Sequence, residues 1–164
     1  MNLANLARII RQNHALEHAT IHVLGRQFPH AQLMGRSTVS GFYIYGHLAT
    51  QPLAAAVSEA LIRLQQGEAH LAVHPRCGTN LAVTGILAGT AAFGATLGKP
   101  RSKLERLPLA ITAATLAAIV AQPLAHRVQE QITTTPDVDD VQISTIERQE
   151  RGGVTIHHVA LGRG

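Results

Sequence analysis

Tryptophan is absent from this chain and aromatic residues make up only 3% of it, so a core must be built mainly from Ala, Leu, Val and Ile. The single cysteine, Cys77, excludes an internal disulfide and leaves the thiol as a free group, a metal ligand or a bridge to another molecule. Charged residues are sparse at 15%, and the formal net charge of +4 is spread over scattered arginines. With no basic stripe interleaved with aromatics, a nucleic-acid surface is not expected. The opening segment, Met1 to Arg8, lacks the charged start and sustained apolar run of a secretory signal, so export by a cleavable route is not expected either. At 164 residues the chain has room for one compact domain and an embellishment.

Against these absences stand two short motifs. The first, His14-Ala-Leu-Glu17-His18, has the order H-x-x-E-H, the inverted zinc-peptidase signature. On a helix His14 and His18 lie one turn apart on one face, so both imidazoles can reach one ion. Glu17 flanks that face, where a carboxylate can serve as general base. The second motif, His74-Pro-Arg76-Cys77-Gly-Thr79, adds an imidazole and a thiol at H-x-x-C spacing. The plain alternative for the first motif is a polar helix face that carries two histidines. His22 extends that face by a turn, as a substitute ligand, a partner behind the ligands or a surface residue. Cys77 reads first as a ligand and next as a nucleophile or an inert buried thiol. Arg76 reads either as an anchor at a membrane surface or as a group that stabilises negative charge on a substrate.

Two uncharged apolar runs follow, Leu81 to Gly98 and Leu107 to Ala125. Each approaches the roughly 20 residues that cross a hydrocarbon core. Gly85, Gly89, Gly94 and Gly98 form two G-x-x-x-G pairs, which suit close helix packing in lipid and association of copies through small-residue faces. The basic turn between the runs, from Lys99 to Arg106, favours a cytoplasmic loop by the positive-inside rule. Arginines also flank the runs at Arg76 and Arg127, however, and the globular parts are expected on the cytoplasmic side. Pro108 suits a helix start and Pro123 a kink or an end. The soluble alternative is a helical hairpin buried in an oligomer.

The flanking segments read as a small α+β unit. Leu3 to Gly25 has helical periodicity with Gly25 as a stop. Thr38 to Leu48 is β-like, with Phe42, Tyr43 and Tyr45 as packing residues of a strand. Pro52 opens an amphipathic helix to about Gln66, and a short strand over His70 to Val73 leads into His74. Val141 to Ile146 and Val154 to Leu161 alternate around Gly152-Gly153 as a β-hairpin. His157 and His158, adjacent on a strand, point to opposite faces and do not chelate together. The expected fold is α+β, a small mixed domain interrupted by a two-helix transmembrane hairpin. Its parts are residues 1–79 with the metal-site region, 80–126 with the hairpin, and 127–164 with a β-hairpin packing on the N-terminal region.

The stretches Asn13 to Thr20, Gly41 to Gly46 and His74 to Leu81 resemble an uncharacterised, largely cyanobacterial membrane-protein family of unknown function. The two motifs are also similar to those of the YqhQ-type membrane family, suspected of metal-dependent activity. The resemblance implies a metal site and a membrane hairpin, carried by His14, Glu17, His18, His74, Arg76 and Cys77. True inverted zinc peptidases differ, for they take a downstream glutamate as third ligand where this chain offers His74 and Cys77.

The leading expectation is therefore a zinc-dependent, peptidase-like hydrolase in the bacterial inner membrane with two spans. Its metal ligands are His14 and His18 with His74 or Cys77, its general base is Glu17 and its charge stabiliser is Arg76. Lipid and a membrane-proximal peptide or lipid-like substrate are the expected partners, without nucleic acid. If all four donors bind, the tetrahedron is full and the site is structural or sensory in a non-enzymatic protein. A third reading has no metal and a redox thiol at Cys77.

Overall fold

The computed structural model describes residues 2–97 and 103–164. In chain order these carry α1 (Leu3–Gln27), β1 (Met34–Thr38), β2 (Gly41–Tyr45), α2 (Thr50–Gln65), a 3-10 turn (Ala69–Ala72), α3 (Gly78–Thr96), α4 (Lys103–Val128) with a terminal π-turn (Gln129–Thr133), β3 (Val141–Arg151) and β4 (Val154–Arg163). The chain divides into two compact units. One runs to His74 and resumes at Glu130; the other is Pro75–Gln129.

The first unit holds a four-stranded antiparallel sheet in the order β1-β2-β4-β3. Alternation sets its two faces. Phe42, Ile44, Val159 and Leu161 point to the side covered by α1 and α2 and join Leu16, Val23, Leu53 and Val57 in the core. Tyr43 points the other way and stacks on His158 at 4.5 Å between ring centroids. His157, on the inner face, is fully buried, so the two adjacent histidines do face apart. Gly152 and Gly153 both take positive φ, 59° and 77°, as a tight hairpin turn requires.

Three local expectations give way. The β-like stretch from Thr38 to Leu48 holds one strand, β2, and only the last residue of β1: Val39 and Ser40 form a turn into Gly41, whose φ of 145° lets its backbone lie against the Val159 carbonyl. The missed strand β1, Met-Gly-Arg-Ser-Thr, is a short polar edge strand without an apolar alternation to reveal it. His70 to Val73 is no strand; Ala69–Ala72 coil into a 3-10 turn that buries Leu71 and Ala72. Gly25 does not stop α1, which continues to Gln27.

α1 is gripped at polar positions as well as apolar ones. The buried Gln12 donates to the Asp137 carbonyl at 2.9 Å and to Asp140 Oδ1 at 2.7 Å, and Arg163 on β4 donates to Asn13 Oδ1. Burial raises the Asp140 carboxyl, but the bonds from Gln12 and Arg8 outweigh it and hold the group below the usual aspartate range. Arg11 donates to the Thr134 carbonyl at 2.9 Å and to that of Gln131 at 3.1 Å, fixing the chain where it re-enters this unit.

In the second unit α3 packs on α4. Among the described residues one helical stretch, Leu104–Thr133, is long and apolar enough to cross a membrane, and only 11% of its most apolar window is buried. α3 does not meet the same standard, because four glycines, four threonines and Asn80 dilute its 19 residues. The expected pair of spans is thus reduced to one candidate. α4 begins at Lys103, not at Pro108, and continues through Pro123 to Val128. Gly98, Lys99 and Arg101 lie outside the described residues.

Candidate metal centre

α1 presents its histidines to backbone carbonyls. His14 Nδ1 lies 3.0 Å from the Thr133 carbonyl and His18 Nδ1 lies 2.7 Å from the Ala72 carbonyl. A carbonyl oxygen only accepts, so both Nδ1 atoms carry the proton and Nε2 is the lone-pair nitrogen of each ring in its neutral form. Ligating histidines commonly have this arrangement, a second-nitrogen bond that fixes tautomer and ring direction. The two rings are 4.3 Å apart between centroids, as one helical turn allows. His18 is 1% exposed, so its bond to Ala72 also prevents a buried donor from standing unsatisfied, which costs about 1–3 kcal/mol.

The acceptors exist because of irregular backbone. In a strand, the Ala72 and Val73 carbonyls would point to opposite sides of a ladder. The 3-10 turn ends at Ala72 and delivers both to α1: Ala72 accepts from His18, and Val73 accepts from His22 Nε2 at 2.8 Å. The Thr133 carbonyl likewise belongs to the π-turn, at a helix end where carbonyls lack intrahelical partners. The segment by which the chain leaves the first unit and the segment by which it returns therefore each hold one histidine of the pair.

His74 joins this group. Its ring centroid is 5.8 Å from that of His18 and 4.9 Å from that of His22. Sequence reading gave His22 little weight; its partners, Val73 and His74, carry no sequence signal that links them to α1. Glu17 is 5% exposed and lies on the side of α1 that faces β1, with its carboxyl group against Gly35.

Arg76 and Cys77 fall in the second unit, in the turn that opens α3. Cys77 is the N-cap of that helix, its Sγ accepting from the Thr79 amide at 3.4 Å. Asn80 Nδ2 closes the turn onto the Pro75 carbonyl at 2.8 Å, and Gln129 Nε2 donates to Asn80 Oδ1. Cys77 is buried and Arg76 exposed. Tyr43 and Tyr45, read from the sequence as packing residues of a strand, occupy the sheet face away from α1.

Over residues 9–146 the chain matches the family described as Domain of unknown function (DUF6391), and it belongs to that family. It is 39% identical over 161 residues to an uncharacterised protein of Picosynechococcus sp., covering 93% of this chain and 78% of the relative. No solved structure matches the chain.

Proposed function

We propose that this DUF6391 chain is a membrane-associated, zinc-dependent hydrolase of peptidase type, with His14 and His18 as ligands and Cys77 or His74 as the third. The observation that carries the reading is the pair of Nδ1–H bonds to Thr133 and Ala72, which turn both Nε2 lone pairs into prepared donors. Cys77 stands three residues beyond His74, at the H-x-x-C spacing of a chelating turn. Two imidazoles and a thiolate form a donor set that suits zinc.

Zinc held there supplies Lewis acidity and acidifies water at neutral pH. The residues do the rest. Glu17 takes up a proton at its carboxylate and returns it to the leaving group. Arg76, exposed in the turn before α3, offsets negative charge that develops on the substrate.

For the membrane, α4 exposes Leu107, Leu109, Ile111, Leu116, Ile119 and Val120, far more apolar surface than a water-facing helix carries. α3 exposes Leu81, Ile86 and Phe93 in the same way, which supports a second span and a bacterial inner-membrane, multi-pass protein. A Cβ placed on Gly85, Gly89 or Gly94 would meet nothing within 4 Å, so these small residues are open to lipid or to the same face of another copy. A membrane-associated hydrolase suits a membrane-proximal peptide or a lipid-like substrate.

A second reading is favoured by the closeness of His74 to His18. With His14, His18, His74 and Cys77 all bound, the centre is closed and serves assembly or metal sensing. Elemental analysis of detergent-purified protein separates the readings, with Glu17→Gln and His14→Ala/His18→Ala as variants. The hydrolase reading expects about one zinc per chain in wild type and in Glu17→Gln, none in the double mutant, and peptide or ester hydrolysis lost in Glu17→Gln by about 100-fold or more. Metal-dependent folding with function intact in Glu17→Gln establishes the closed site. A wild type that stays metal-free when zinc is offered sinks both and leaves Cys77 as a redox thiol.

A further inference from the structure

Gly35 lies inside β1, paired with Ile44, at a position where glycine weakens a strand. Its backbone does not need the residue, because its φ is not among the positive ones. Space does. A Cβ at this position would overlap Glu17 Oε1 and come within 2.6 Å of Glu17 Cδ and 2.7 Å of Cγ. Three atoms of one side chain occupy the volume that any other residue would fill. Glu17 is 5% exposed and rooted on α1 between the buried Leu16 and His18, so a Cβ at position 35 forces its carboxyl end to move within a buried setting.

We infer that Gly35 is the positioning residue for Glu17: the missing side chain is the seat that sets where the carboxylate of the residue next to His18 stands. This rests on the metal-site reading above and extends it from α1 to the sheet, since the hairpin that carries Gly35 then decides the reach of the base. The fold supports that task. β1 is held to β2 along its whole length, from Met34 against Tyr45 to Thr38 against Gly41. Asn13, one turn before Glu17 on α1, donates to the carbonyls of Thr38 at 2.7 Å and Val39 at 3.2 Å, which locks strand and helix together. Shortening the acid by one methylene draws the carboxyl group back by roughly 1.5 Å along its stem, about the length of the bond removed. Asp at position 17 should therefore fit against Ala at position 35, where Glu does not.

The test compares wild type, Gly35→Ala, Glu17→Asp and Gly35→Ala/Glu17→Asp in detergent, by thermal unfolding and by the visible absorption of added Co2+, which reports the geometry around a bound ion. Gly35→Ala should lower Tm by about 5 °C or more through overpacking. The double variant should recover most of that loss, and Glu17→Asp alone should not gain from it. Gly35→Ala should bind cobalt with wild-type stoichiometry but a changed spectrum, and the double variant should move the spectrum again. Costs that simply add across the two positions overturn the seat. So does a cobalt spectrum indifferent to Gly35→Ala and Glu17→Asp, which reduces the contact to packing while the metal centre stands. If wild type takes up no cobalt and no zinc, it is the metal reading that fails, and the positioning role fails with it.

Discussion

Phe42 and Phe93 are the same residue in two regions that solve opposite problems. In the sheet-bearing unit Phe42 is fully buried among Leu16, Ile44 and Val159; in the helical unit Phe93 is 66% exposed, and Leu81, Ile86 and many large residues of α4 are exposed as well. The first unit keeps apolar side chains in, and the polar Gln12 and Asn13 that it buries each have dedicated hydrogen bonds. The second turns its apolar side chains out and buries no residue of α3. One chain thus carries two opposite arrangements of its apolar side chains.

The comparison can be broken most directly by truncation. Phe42→Ala should destabilise the sheet-bearing unit by about 3–5 kcal/mol, while Phe93→Ala should change chemical unfolding by less than about 0.5 kcal/mol. Denaturant titration of both variants measures the gap, and equal costs would mean that α3 is packed in a core after all. A charge sharpens it further. Leu116→Lys, on the exposed side of α4, should oppose membrane insertion by about 3 kcal/mol if the helix spans a bilayer. Ile62→Lys on α2, at similar exposure, should be nearly silent. Retention in a carbonate-washed membrane fraction distinguishes them.

The smallest effect concerns a polar group inside the core of the sheet-bearing unit. Burial, with the nearby Arg148 guanidinium, holds His157 below the ordinary histidine range, while its Nε2 meets Thr50 Oγ1 at 3.1 Å. Because the folded-state value is depressed, the unfolded chain takes up the proton first. The contribution of a neutral His157 is then complete above about pH 6.5 and is lost as pH falls through the folded value. Tm should therefore decline below about pH 6.5, and His157→Gln should flatten that part of the profile. An unchanged slope would assign the acid sensitivity to other groups.

Much of this was legible because it is periodic. α1 and α2 announced themselves by spacing, β3 and β4 by alternation around Gly152-Gly153, and the apolar content of α4 by its run of uncharged residues. Features without period were missed. β1 is polar and lies on an edge; the 3-10 turn was mistaken for a strand because Leu71 and Val73 alternate with small or polar neighbours. The histidine pair was visible as H-x-x-E-H, but the bonds that orient it come from backbone carbonyls, which have no letter in the sequence. Gly35 looked like an ordinary small residue, since the group that claims its space is 18 positions away.

By itself the sequence determined the α+β character, the apolar helical segment, and the presence of two imidazoles and a carboxylate on one turn of α1. Those follow from local spacing, which the backbone period converts into faces without help from the rest of the chain. Tertiary structure alone decided which nitrogen of His14 and His18 carries the proton and that His22 meets His74. It also decided that Glu17 rests on Gly35 and that Asn13 is clamped to the β1–β2 turn. Each of these joins residues far apart in the chain through a carbonyl, a ring edge or a missing side chain, and such contacts exist only once packing has fixed where the backbone turns.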